Sequence, residues 1–326
     1  MTRRPEPAVE ALVSGTANGD IRAASRLIRL IDDGRPEARA ALKQLFQHSG
    51  RALVVGITGP PGAGKSTLTD CLIAQARDAG LKVGVLAVDP SSPISGGAIL
   101  GDRIRMNRFS LDEHVFVRSL ASRGHFGGIT PATRGAIRVM DAMGKDVILV
   151  ETVGVGQDEV DIARLAHTTI IVAVPGLGDD IQAMKAGILE VGDLYVVNKA
   201  DHPDADKTAA HLANIFRRTP DGHWKPPVLK AQALHYKGIG EIWTAIKGHG
   251  DYRKAGSAAF KEKHAANCRK ELNAFLQQSL QEQISHTLDS EARIQSSVEA
   301  IADGTKDIYA ATDDILETLG LPVAKS

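Results

Sequence analysis

The segment Gly59-Pro60-Pro61-Gly62-Ala63-Gly64-Lys65-Ser66 has the residue types and spacing of a loop that wraps phosphate groups. Glycines let the backbone N–H groups close around phosphate oxygens, and the lysine brings an ammonium to the β and γ phosphates. The Ser66 hydroxyl suits the shell of a magnesium ion. Gly62, Ala63, Gly64, Lys65, Ser66 and Thr67 are therefore the candidate phosphate contacts. Far downstream, Asn198-Lys199-Ala200-Asp201 has the chemistry to select a base. A carboxylate at Asp201 accepts both N–H groups on the edge of guanine, whereas adenine would leave it unpaired in a dry pocket. Alone, these four residues also read as a polar turn. Behind an apolar run and after a phosphate loop, they imply GTP and its product GDP. Gln232, Ala233 and Leu234 follow the last apolar run, where a backbone N–H meets the guanine oxygen.

Four segments between and beside these signatures sit where a nucleotide hydrolase needs moving parts. Asp89-Pro90-Ser91-Ser92 ends an apolar run and places the Asp89 carboxylate within reach of magnesium or the attacking water. Gly96 to Arg103 is a glycine stretch carrying Asp102 and Arg103, which reads either as a switch or as a capped helix start. Glu151-Thr152-Val153-Gly154-Val155-Gly156-Gln157 offers a metal-side carboxylate and then a glycine N–H for the γ phosphate. Pro175 to Gln182 opens a helix containing Lys185, and no generic nucleotide pocket requires this fourth loop. His125, in Ser122 to Gly128, reads as a base, a partner contact or plain polar surface.

To position these groups at one edge, the chain needs a sheet. Short apolar runs at Ala52 to Thr58, Lys82 to Val88, Val115 to Ser119, Val147 to Val150, Thr169 to Val174, Leu194 to Val197 and Val228 to Leu229 alternate with helical stretches. Being continuous rather than alternating, they predict strands of a mostly parallel sheet buried on both faces. Residues 1–50 form an N-terminal helical extension, with Asp20 capping a helix from Ile21 to Ile31 and Pro36 opening another. Residues 51–250 form the nucleotide domain, and 251–326 a charged helical arm whose apolar positions recur every three to four residues. Such an arm packs on the nucleotide domain or on a second copy.

Of the 326 residues, 39 are Lys or Arg and 39 are Asp or Glu, so nothing points to nucleic acid or to an anionic membrane. The two cysteines, Cys71 and Cys268, are too few for a disulfide framework or a thiolate metal site. The absence of a long apolar run and of a signal-like start adds the expectation of a soluble, cytoplasmic protein.

The ordered set GPPGAGKST, VDPSS, GGAILGDRIRM, ASRGHFGG, VILVETVGVGQDE, GDDIQAMKAGI and VVNKAD, spread from Leu53 to Trp243, resembles the MeaB-like GTPase chaperones of adenosylcobalamin-dependent acyl-CoA mutases. The resemblance implies an α/β fold with a P-loop GTPase core of the SIMIBI type and helical extensions at both ends. It implies GTP hydrolysis with magnesium, held by Ser66, Asp89, Asp102 and Glu151, and a homodimer built through the extensions. It also implies a partner mutase, such as methylmalonyl-CoA or hydroxyisobutyryl-CoA mutase, whose cofactor loading is gated and which is protected or reactivated. An adenosyltransferase is a further implied partner. The loop from Gly176 to Lys185 resembles the switch through which a partner stimulates hydrolysis, which puts Lys185 beside Lys65, Asp89, Asp102 and Glu151 among the catalytic candidates. Where many relatives have a Ser-Ala-Leu motif at the base, this chain has Gln232-Ala233-Leu234. Two other classes stay open, a nickel or cobalt insertase and a small-molecule kinase. The first needs a soft-ligand cluster that the sequence lacks, and the second an acceptor pocket and a base.

Overall fold

The computed structural model describes residues 8–89, 108, 109, 111–121, 131–152, 158–176, 189–216, 219, 223–256, 290–318 and 320, with short helical pieces between 261 and 280. All seven predicted strands are present: β1 (Leu53–Thr58), β2 (Val83–Asp89), β3 (Val115–Ala121), β4 (Val147–Thr152), β5 (Thr168–Ala173), β6 (Leu194–Val197) and β7 (Val228–Lys230). They form one parallel sheet in the order β3-β2-β4-β1-β5-β6-β7. Ends differ from the sequence expectation by a residue or two. The β2–β3 ladder, for example, runs on to Asp89 opposite Ala121 and carries β3 past Ser119.

Why the runs are continuously apolar is visible in the two cores. Val55 and Ile57 of β1, Val83 and Val85 of β2 and Leu149 of β4 join one cluster, with Leu68, Leu72, Ile242 and Ile246. The residues between them, Val54, Leu86, Val88, Ile148 and Val150, join the other. Successive side chains point to opposite faces, so a sheet covered on both sides must be apolar at every position. The first face is covered by α4 (Lys65–Asp78), while the residues of Ile239–Ala255 that join it belong to a later helix, α8. On the second face lie α2 (Ile21–Asp32), α3 (Pro36–Leu45) and α5 (Pro131–Ala142), with Leu27, Ile28 and Leu45 wholly buried against Ala136 and Met140. The N-terminal segment, which begins with α1 (Val9–Ala17), thus shares the core of the nucleotide domain.

The expected caps are present. Asp20 Oδ1 accepts from the amides of Arg22 (2.7 Å) and Ala23 (3.3 Å), and Pro36 takes the first turn of α3, where its missing N–H costs nothing. Helices α6 (Asp158–Leu165) and α7 (Ala205–Ile215) complete the layers. Residues 1–260 make one compact unit and 261–326 a second, which contains α9 (Ser290–Ala302) and α10 (Ile308–Thr318). No helix among the described residues is long and apolar enough to cross a membrane.

Candidate functional site

Because every strand runs the same way, the C-terminal ends of β1, β4, β5 and β6 open on one edge of the sheet, and the two sequence signatures meet there. The phosphate loop joins β1 to α4. Gly59 has φ of +143°, and any Cβ there would collide with the Val172 carbonyl on β5. Gly64, at φ +85°, leads directly into α4, and a Cβ there would overlap Asn198 Nδ2. Only glycine meets both requirements. Lys65 is 6% exposed, and its Nζ donates to the carbonyls of Gly59 (2.8 Å) and Pro60 (3.1 Å), which holds the ammonium inside the loop. The first turn of α4 adds its N-terminal amides and positive dipole end.

Glu151, on β4, is brought to the same turn. The residue is 5% exposed, with Oε1 accepting from Ser66 Oγ at 2.6 Å and Oε2 from Thr69 Oγ1 at 2.8 Å. Ser66 and Glu151 were separate sequence expectations, and the fold joins them. Thr69 was missed. Its signal is a polar residue one helical turn after Ser66, on the buried side of α4. Hydroxyl and carboxylate oxygens are hard donors that suit magnesium. Among the described residues, no three His, Cys, Asp or Glu side chains gather as a metal cluster.

On the base side, Asn198 is 3% exposed and stitches two loops together. Its Nδ2 donates to the Ala63 carbonyl (2.8 Å), and its Oδ1 accepts from the Ala233 amide (3.1 Å). Lys199 adopts left-handed backbone at φ 55°, which turns the chain so that Asp201 faces the cavity. That cavity, of about 550 Å³, is lined by Gly62, Gly64, Lys65, Ser66, Thr67 and Glu151 at one end and by Asn198, Lys199, Asp201, Gln232, Ala233 and Leu234 at the other. The three amides of Gln232, Ala233 and Leu234, expected from sequence to lie near the base, differ in their partners. The Gln232 amide is used by the Lys237 carbonyl and the Ala233 amide by Asn198, whereas the Leu234 amide has no partner among the described residues.

Asp89 closes β2 at this same edge, but its side chain lies outside the described residues. Asp102, Lys185, His125 and the segments 96–103, 153–157 and 178–185 also lie outside them. Cys71, 1% exposed, donates to the Ala233 carbonyl at 3.2 Å and so supports the base loop from beneath.

A second support lies beside it. Arg108 Nη1 donates to Tyr236 Oη at 3.1 Å, and the guanidinium lies over the rings of Phe109 (5.6 Å) and Tyr236 (5.7 Å). Nearby, Asp70 Oδ1 is buried without a hydrogen-bond partner among the described residues. Burial pushes the Asp70 carboxyl up to about 6, against the pull of the Arg108 charge. With the folded value above the unfolded 3.8, the contribution of this group is fully present below pH 4 and is lost as pH rises through about 6. Asp70→Asn should therefore stabilise the protein by about 1 kcal/mol at pH 7, a figure reduced for solvent screening, and by nothing below pH 4. Urea unfolding of parent and variant at both pH values measures this. An equal difference at the two would contradict it.

Comparison with known proteins agrees with this geometry. Residues 24–289 match the family described as methylmalonyl Co-A mutase-associated GTPase MeaB. A Pyrococcus abyssi protein provisionally named a GTPase is 44% identical, with 95% of this chain and 97% of that protein covered. The Escherichia coli GTPase ArgK is 41% identical over 70% of this chain and 72% of its own. The mouse mitochondrial methylmalonic aciduria type A homolog is 34% identical over 73% of this chain and 62% of its own. The crystal structure of an LAO/AO transport system kinase superposes with a TM-score of 0.70 at 25% identity, covering 98% of this chain and all of that one. With the phosphate loop and the Asn198 to Asp201 turn lining one cavity and this kinship in hand, the chain belongs to the MeaB family and is a P-loop GTPase that binds GTP and GDP.

Proposed function

We propose that this GTPase gates the loading of adenosylcobalamin onto an acyl-CoA mutase and protects or reactivates that mutase. The observation that carries the reading is the extent of the family match. It runs from residue 24 to 289, past the nucleotide site into the helices on both sides, so the likeness is to more than a GTP pocket. Methylmalonyl-CoA mutase is the first client to test, with hydroxyisobutyryl-CoA mutase next and an adenosyltransferase as the donor.

In this reading Ser66 and Glu151 would hold magnesium with Asp89 and Asp102, and the ion would supply positive charge to the phosphates. Lys65 faces the same oxygens, Asp201 and the Leu234 amide take the guanine edge, and Lys185 is brought in by the partner. The C-terminal arm forms the homodimer. Leu272, Phe275, Leu276, Ile294 and Val298 are all more than 40% exposed, an apolar surface suited to a second copy. The working compartment is the cytoplasm.

The test is transfer of adenosylcobalamin from adenosyltransferase to apo-mutase in the presence of this protein, followed by cobalamin absorbance. Transfer should proceed with GTP and stall with a non-hydrolysable analogue. Equal transfer with GTP, the analogue or no nucleotide would remove gating from the account.

A further inference from the structure

Thr69 is wholly buried on α4, one turn beyond Ser66, and its hydroxyl has two acceptors in reach. Glu151 Oε2 lies at 2.8 Å and the Lys65 carbonyl, four residues back along the helix, at 3.0 Å. A threonine hydroxyl carries one proton, so it serves one of these at a time. The carboxylate is the stronger acceptor, while the helical carbonyl is an ordinary fallback for a threonine in a helix. We propose that Thr69 is a positioning residue for Glu151, holding its carboxylate on the phosphate loop and releasing it without a stranded buried donor, because the hydroxyl can turn to the Lys65 carbonyl instead.

The consequence concerns how the site takes up magnesium. Ser66 fixes one oxygen of Glu151 and Thr69 the other, so the carboxylate plane is set by α4 before the ion arrives. A valine at 69 keeps the shape and removes the proton. Glu151 then keeps its Ser66 contact but loses the one on Oε2, and the ion must narrow a wider range of carboxylate orientations. The inference rests on the reading of Glu151 as a metal-side carboxylate.

The full-length protein loaded with a fluorescent GDP analogue provides the test, read as the magnesium concentration that gives half of the full slowing of nucleotide release. Thr69→Val should raise that concentration about fivefold or more, the loss expected for one hydrogen bond to a buried carboxylate. Thr69→Ser should stay within about twofold of the parent, since it keeps the hydroxyl. Release in EDTA should be the same for all three. An unchanged magnesium midpoint in Thr69→Val overturns the inference, as does faster release in EDTA by the same factor, which would mark a merely structural role. Thr69→Ala repeats the measurement if the valine methyl prevents folding. Glu151→Gln separates the two levels of the argument. If it shifts the midpoint and Thr69→Val does not, only the role of Thr69 falls; if it leaves the midpoint unchanged, the metal-side reading of Glu151 falls too.

Discussion

Replacing Lys65 with alanine should bring GTP turnover close to background even at saturating nucleotide. The reason is orientation as much as charge. Lys65 is 6% exposed and its ammonium is tied to the Gly59 and Pro60 carbonyls, so its position is set by the loop before substrate binds. Removing one fixed donor aimed at developing charge costs about 3 kcal/mol, or roughly a hundredfold in rate. Folding should survive, since alanine fits a helix without strain. Phosphate release under single-turnover conditions measures the effect. Hydrolysis at the parent rate would mean that the chemistry is elsewhere.

Asp201→Asn should change which base the site accepts. The carboxylate faces the cavity from a turn fixed by the Asn198 side chain and the left-handed Lys199, so the variant amide should occupy the same place. It would present a donor to the guanine amino group, weakening GTP by about 2 kcal/mol, close to thirtyfold. Xanthosine triphosphate, with an oxygen at that position, should bind better than before. Competition of the three triphosphates against labelled GDP decides this. Unchanged preference for GTP over ATP and xanthosine triphosphate in the variant would remove Asp201 from base selection.

These two residues could be named in advance because their motifs are local. Lys65 is given by eight contiguous residues and Asp201 by four, and each follows an apolar run that became a strand. The sheet was legible for a related reason: a strand covered on both faces must be apolar throughout, which separates it from an amphipathic helix. What escaped was joined by the fold alone. Thr69 and Glu151 are 82 residues apart in sequence, Asn198 and Ala63 are 135, and Arg108 and Tyr236 are 128. The docking of the N-terminal helices was similarly hidden. Their apolar stripe predicts that they bury a face, but only the packing shows that Leu27, Ile28 and Leu45 bury it against α5. The Leu234 amide was hidden because its availability depends on which neighbouring amides Asn198 and Lys237 occupy.

In the proposed function this chain hydrolyses GTP selectively and an adenosylcobalamin-dependent mutase controls the rate. The most direct test is phosphate release by the purified full-length protein, with GTP or ATP, alone or with the cognate mutase. The account predicts slow release from GTP alone, none above background from ATP, and acceleration of the GTP reaction by about tenfold or more on adding the mutase, because in the proposed reading the partner brings Lys185 to the developing phosphate charge. Equal release from both nucleotides, or a GTP rate indifferent to the mutase, would contradict it.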